Sequence, residues 1–228
     1  MTNTSGVLLG RTLIQQRGAF GGARSVFVKL QGVKNELVFP TFGGQLKNPF
    51  KGAAKIYAGD LFEFRTDANG VNPELYLLKT YKIKSVSGTT VTLYKDGYKH
   101  IPFVGDKLGV APDEIGGEVT AVTVSAVKAE GNTWVLTVSD TLSASDGDIL
   151  VEADADGNML VKDINAVAPC DYDFVYNPAA DENDYEGARY HIAPALGGLM
   201  YIHKMSPMPD CVLALNKCNI NGWFKVEL

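Results

Sequence analysis

The chain has 228 residues, 46% of them hydrophobic and 21% charged, with a formal net charge of −5. That composition supports a packed core in one or two domains and excludes wholesale disorder. No apolar run approaches the ~20 residues of a membrane helix, and Cys170, Cys211 and Cys218 form no CxxC pair on which a zinc centre could be built.

Charge is distributed unevenly. Up to Ile56 there are eight basic residues (Arg11, Arg17, Arg24, Lys29, Lys34, Lys47, Lys51, Lys55) against one acid, Glu36, a local +7. The remaining 13 basic and 25 acidic residues give −12. Twelve of those acids lie between Asp146 and Glu186, where Lys162 is the one basic residue. Opposite signs at the two ends point to electrostatic docking between copies or onto a partner.

Residues 1 to about 25 contain Gly6, Gly10, Gly18, Gly21 and Gly22 with spaced arginines and no sustained apolar period. They read as an extended arm that orders on a partner. Arg11, Leu13, Ile14, Arg17, Phe20 and Arg24 are its candidate contacts: the guanidinium groups for carboxylates, the apolar side chains for burial. Nucleic acid is not expected as the partner, because the whole chain is acidic and Phe20 is the arm's one stacking aromatic. The N-terminus lacks a basic segment followed by an apolar core, so synthesis and assembly in a cytoplasm are expected.

Val26–Leu30 and Glu36–Pro40 read as strands, with breaks at Phe39–Gly44 and Asn48–Gly52. Residues 1–56 thus form a basic region of arm and short strands, and a β-barrel-like domain is expected over 57–157. In that domain Gly59-Asp60, Gly105-Asp106 and Gly147-Asp148 each precede an aliphatic run. Glycine permits the unusual backbone angle of a turn, and aspartate closes it with its own side chain. Leu61–Arg65 reads as a strand and Asp67–Gly70 as its turn. Leu75–Ile83 reads as one long strand, half-buried from Thr80 onward. Gly88 turns a hairpin, and Glu118–Val127 pairs with Trp134–Val138 across Glu130-Gly131-Asn132. Ile149–Val151 closes the unit, as a single barrel or a tandem of two.

The segment 158–228 reads as β-rich, with Met159–Lys162, Leu199–His203, Val212–Leu215 and Trp223–Leu228 as strands. It carries one short helix at about 178–187, marked by Asn177, Pro178 and the acids that follow. The fold class is all-β.

Motifs for chemistry are sparse. Asp154-x-Asp156-Gly157-Asn158 begins like a calcium loop, but the sixth and twelfth positions hold Met159 and Asn165, so it reads as a polar turn. His100, His191 and His203 are scattered, and no nucleophile elbow or phosphate loop occurs. Asp171 and Asp173 alternate and can face one cleft as a glycosidase pair, although a solvated strand face is the commoner meaning. Tyr94, Tyr98, Tyr172, Tyr176, Tyr185 and Tyr190 sit in polar contexts that suit a protein interface or sugar stacking.

The Gly/Arg arm, the three Gly-Asp-x-aliphatic motifs and the hairpin Val86-Ser87-Gly88-Thr89-Thr90-Val91 resemble those of tailed-bacteriophage capsid auxiliary proteins. These are the decoration (cement) and head-fibre proteins, including those of crAss-like phages. The similarity covers Gly59 to Gly157. It implies a non-enzymatic oligomer on the outer capsid surface of a virion, with the major capsid protein and other copies of itself as partners. It implies no catalytic residue, and the residues themselves lead to no expectation of a metal, cofactor or membrane contact. The alternatives are a carbohydrate-binding adhesion module using the loop tyrosines, and a hydrolase using Asp171 and Asp173.

Overall fold

The computed structural model of the chain describes residues 43–70, 72–95, 100–174, 191–195, 198–201, 206–215 and 224–227. The arm with its six candidate contacts, the strands expected before residue 43 and the helix expected at 178–187 lie outside them. In chain order the strands are β1 (Gly44–Leu46), β2 (Ala54–Ile56), β3 (Leu61–Thr66), β4 (Pro73–Leu77), β5 (Thr80–Ser87), β6 (Thr90–Tyr94), β7 (Lys107–Val110) and β8 (Val122–Glu130). They continue with β9 (Thr133–Val138), β10 (Ile149–Glu152), β11 (Ala166–Val167), β12 (Tyr172–Phe174), β13 (His191–Ile192), β14 (Gly198–Tyr201) and, after the short helix α1 (Asp210–Leu213), β15 (Phe224–Glu227). Among the described residues the fold is all-β with one short helix.

Six strands close a single barrel in the order β9-β6-β5-β10-β7-β8, with β8 returning to β9. Every neighbouring pair is antiparallel. Two hairpins have two-residue turns: Ser87 faces Thr90 across Gly88, and Glu130 faces Thr133 across Gly131. Both glycines have positive φ, 58° and 54°, as such turns require. Inside the ring Ile83, Val91, Leu93, Val124, Leu136 and Leu150 form the core, while Lys82, Lys84, Thr123, Ser125 and Thr137 face water. No helix among the described residues is long and apolar enough to cross a membrane.

The second sheet has the order β11-β3-β4-β1-β13 and buries Leu46, Phe50, Phe62, Leu75, Leu77 and Ile192. A third apolar cluster joins the two units. Leu61, Leu78 and Val167 meet Val119, Val151 and Ala153 there, with Cys211 and Val212 of α1 packed on.

The three Gly-Asp motifs fold alike. In each, the aspartate N–H donates to the carbonyl three residues back: Tyr57 at 3.0 Å, Phe103 at 3.2 Å, Ser145 at 3.2 Å. The aspartate Oδ2 accepts the N–H of that same residue, at 2.7, 2.8 and 2.7 Å. Gly59, Gly105 and Gly147 have φ of 95°, 87° and 94°, the left-handed third position of a type II turn. A strand begins at the next residue each time.

The closed ring spans Thr80–Glu152, and β3 and β4 belong to the second sheet. Two expectations need correction. The expected strand Leu75–Ile83 is two strands in different sheets, with Leu78 and Lys79 between them. Leu77 to Tyr81 are all buried, so this crossing is packed on every side and shows no alternation that would mark it. Val212–Leu215 is not a strand: Asp210–Leu213 is a helical turn entered from Pro209, with Cys211 and Val212 buried beneath it.

Candidate functional site

Among the described residues, a set of buried polar side chains lies where barrel and sheet meet. The turn before β3 places Asp60 there, 3% exposed, with Oδ2 on the Tyr57 amide. That oxygen also lies 3.2 Å from Nε2 of His100, itself 1% exposed. Oδ1 accepts the Ser206 hydroxyl at 2.8 Å. His100 Nδ1 accepts the Thr80 amide at 3.0 Å.

These contacts fix the chemistry. An N–H donated to Nδ1 requires that nitrogen to be unprotonated, so the histidine carries its proton on Nε2 and gives it to Asp60. The order is therefore serine, aspartate, histidine. In a hydrolytic triad the histidine stands between the other two and takes the serine proton. Here Ser206 never meets the imidazole, and the free imidazole lone pair is already engaged by backbone. The trio is a buried clamp that ties the segment at Ser206 and the start of β5 to the turn before β3. Thr80 Oγ1, beside it, is buried without a hydrogen-bond partner.

A second group completes the seam. Asn48 brackets Leu77, donating to its carbonyl at 2.9 Å and accepting its N–H at 2.8 Å. It also donates to Glu152 Oε2 at 2.8 Å. Lys79, 2% exposed, lies 3.1 Å from the same carboxylate and donates to the Pro49 carbonyl at 3.2 Å. Its ammonium sits 5.1 Å from the Phe50 ring centre. Asp106 Oδ1 faces Lys51 Nζ at 3.3 Å and accepts no hydrogen bond.

Tyr81 is sealed between these groups. Burial, with the Asp106 and Glu152 carboxylates near, pushes its phenol well above the usual tyrosine value. The unfolded chain ionises that phenol near pH 10 while the folded chain does not. The stability Tyr81 contributes is complete below about pH 10 and falls by roughly 1.4 kcal/mol per pH unit above it. Melting curves between pH 8 and 11 should therefore fall less steeply for Tyr81→Phe than for the parent. Parallel curves would show that Tyr81 does not set the alkaline limit.

The residues singled out from sequence are scattered. Asp171 Oδ1 accepts the Ala58 amide at 2.9 Å, whereas Asp173, 81% exposed, pairs with Lys55 at 3.3 Å. Each carboxylate is engaged separately. Tyr172 donates its hydroxyl to the Ala193 carbonyl, and Tyr94 is half-buried at the end of β6. Asp154 closes the polar turn, with Oδ1 accepting the Asp156 and Asn158 amides and Oδ2 facing Lys162 at 3.3 Å. Burial pushes its carboxyl up, but the Asn158 amide, Lys162 and the Asp156 amide outweigh this and hold it below the usual value. Burial raises the Cys211 thiol, and Cys170 is half-buried and free. No group of three or more His, Cys, Asp or Glu among the described residues is placed to hold a metal.

Sequence reasoning missed a surface groove of about 490 Å³ beside β7. Val110, Ala111, Pro112 and Leu142 contribute its apolar lining, and Asp113, Glu114 and Glu118 its charge. The three carboxylates are exposed and have no ion pair or hydrogen bond among the described residues. No known family, curated protein or solved structure matches this chain.

Proposed function

We propose that this chain is a non-enzymatic structural protein of a tailed-bacteriophage virion that binds and stabilises the outer capsid surface in many copies. One observation supports a scaffold rather than an enzyme. The most chemistry-like constellation, Ser206–Asp60–His100, is buried, and its order places the aspartate, not the histidine, against the serine hydroxyl. The capsid assignment comes from the resemblance of the Gly-Asp turns, the hairpin at Gly88 and the arm. In this reading the rigid barrel and sheet present a contact surface. Many weak contacts then act together, because each tethered copy raises the effective concentration of the next.

Electron microscopy of particles from the phage that encodes the chain tests the reading. Density matching the closed barrel is expected on the outer capsid at regular lattice positions. Particles depleted of the protein are expected to rupture at a lower temperature. Density confined to the tail, or unchanged heat tolerance after depletion, would overturn the assignment.

A further inference from the structure

The acids most available to a cationic partner are not the most numerous ones. Between Asp146 and Asp173 most described carboxylates already serve the fold. Asp148 binds the Ser145 amide, Glu152 binds Asn48 and Lys79, and Asp154 binds two amides and Lys162. Asp171 binds the Ala58 amide and Asp173 binds Lys55. The Asp113, Glu114 and Glu118 carboxylates have no hydrogen bond or ion pair among the described residues, and they share their groove with Val110, Ala111, Pro112 and Leu142. At about 490 Å³ the groove falls within the size range of built ligand sites. Its chemistry calls for an extended segment with aliphatic side chains and cations close together.

The chain contains such a segment. Residues 7–17 read Val-Leu-Leu-Gly-Arg-Thr-Leu-Ile-Gln-Gln-Arg, five aliphatics with Arg11 and Arg17, and no acid occurs before Glu36. We infer that this groove is the docking site for residues 7–17 of this chain. Leu13 and Ile14 cover the apolar part, and Arg11 and Arg17 take the Asp113, Glu114 and Glu118 carboxylates with their planar forks. The position differs from the acid-rich stretch 146–186 that charge counting favours. The inference does not depend on the virion reading.

The test uses the full chain with the photo-reactive residue p-benzoylphenylalanine in place of Leu13, irradiated free in solution and mapped by mass spectrometry. Cross-links are expected within residues 110–120 and 142–143. They should fall about tenfold in Asp113→Asn/Glu114→Gln/Glu118→Gln, as loss of the exposed ion pairs of two arginines implies at up to about 1 kcal/mol each, and fall also at high salt. All three replaced residues are exposed, so an unchanged circular dichroism spectrum checks that the variant is folded. Cross-links confined to 146–186, their absence, or a yield unaltered by the triple substitution would each overturn the inference. Because the readout needs no particle, its failure is separable from failure of the capsid assignment.

Discussion

Replacing Asp60 by alanine is expected to cost about 4 kcal/mol, the largest loss from any single polar side chain among the described residues. The substitution removes the acceptor oxygens that serve three donors at once: the Tyr57 amide, the His100 Nε2–H and the Ser206 hydroxyl. A buried donor left without an acceptor costs about 1–3 kcal/mol, and partial relaxation keeps the sum below three full penalties. Asp60→Asn should cost less, about 1–2 kcal/mol. Its carbonyl still serves Tyr57 and His100, and the Ser206 hydroxyl can rotate to accept from the amide. Ser206→Ala should be mildest, about 1 kcal/mol. Urea titrations of the three variants check the ranking. A serine variant as damaging as Asp60→Ala, or an alanine variant within 1 kcal/mol of the parent, would mean the clamp does not hold the seam together.

Lys79→Met is expected to cost about 3 kcal/mol. Methionine fills the space of the lysine stem, so the effect isolates the charge. Removing one member of a buried ion pair leaves the other uncompensated, at about 3–5 kcal/mol. Asn48 still donates to Glu152, which brings the expectation to the lower end. The double variant Lys79→Met/Glu152→Gln should recover most of the loss, because no unpaired charge then remains. A double-mutant cycle from thermal melts measures the coupling. If the two single losses simply add, the pair is not coupled and the ammonium acts through the Pro49 carbonyl and the Phe50 ring instead.

The parts of this fold legible in the sequence are those whose bonds are local. Each Gly-Asp turn is closed by an aspartate that binds the amide three residues back, and both barrel hairpins turn on a glycine between directly facing residues. Sheet membership is not local. Leu61–Arg65 reads as a strand from its residues, but only its pairing with Pro73–Leu77 and Ala166–Val167 places it outside the ring. His100 is a lone histidine in the sequence. Its role comes from Thr80, 20 positions away, and Asp60, 40 away, and Asp60 in turn binds Ser206 across 146 positions. The groove joins residues 110–120 to Leu142 and Ser143, two stretches with no shared pattern. Asp171 and Asp173 are the converse case: close in sequence and alternating, yet engaged by different partners.

The crossing at Leu78–Lys79 has a mechanical consequence. It is the shortest covalent path between the second sheet and the barrel, and it is buried rather than looped into solvent. Beside it run non-covalent struts: Asn48 to Glu152 and Leu77, and Asp60 to His100, which holds Thr80. A pull on the barrel is thus shared between backbone and struts in parallel before it reaches the sheet. Among the described residues, the joint between second sheet and barrel is therefore a packed, braced crossing rather than a slack linker.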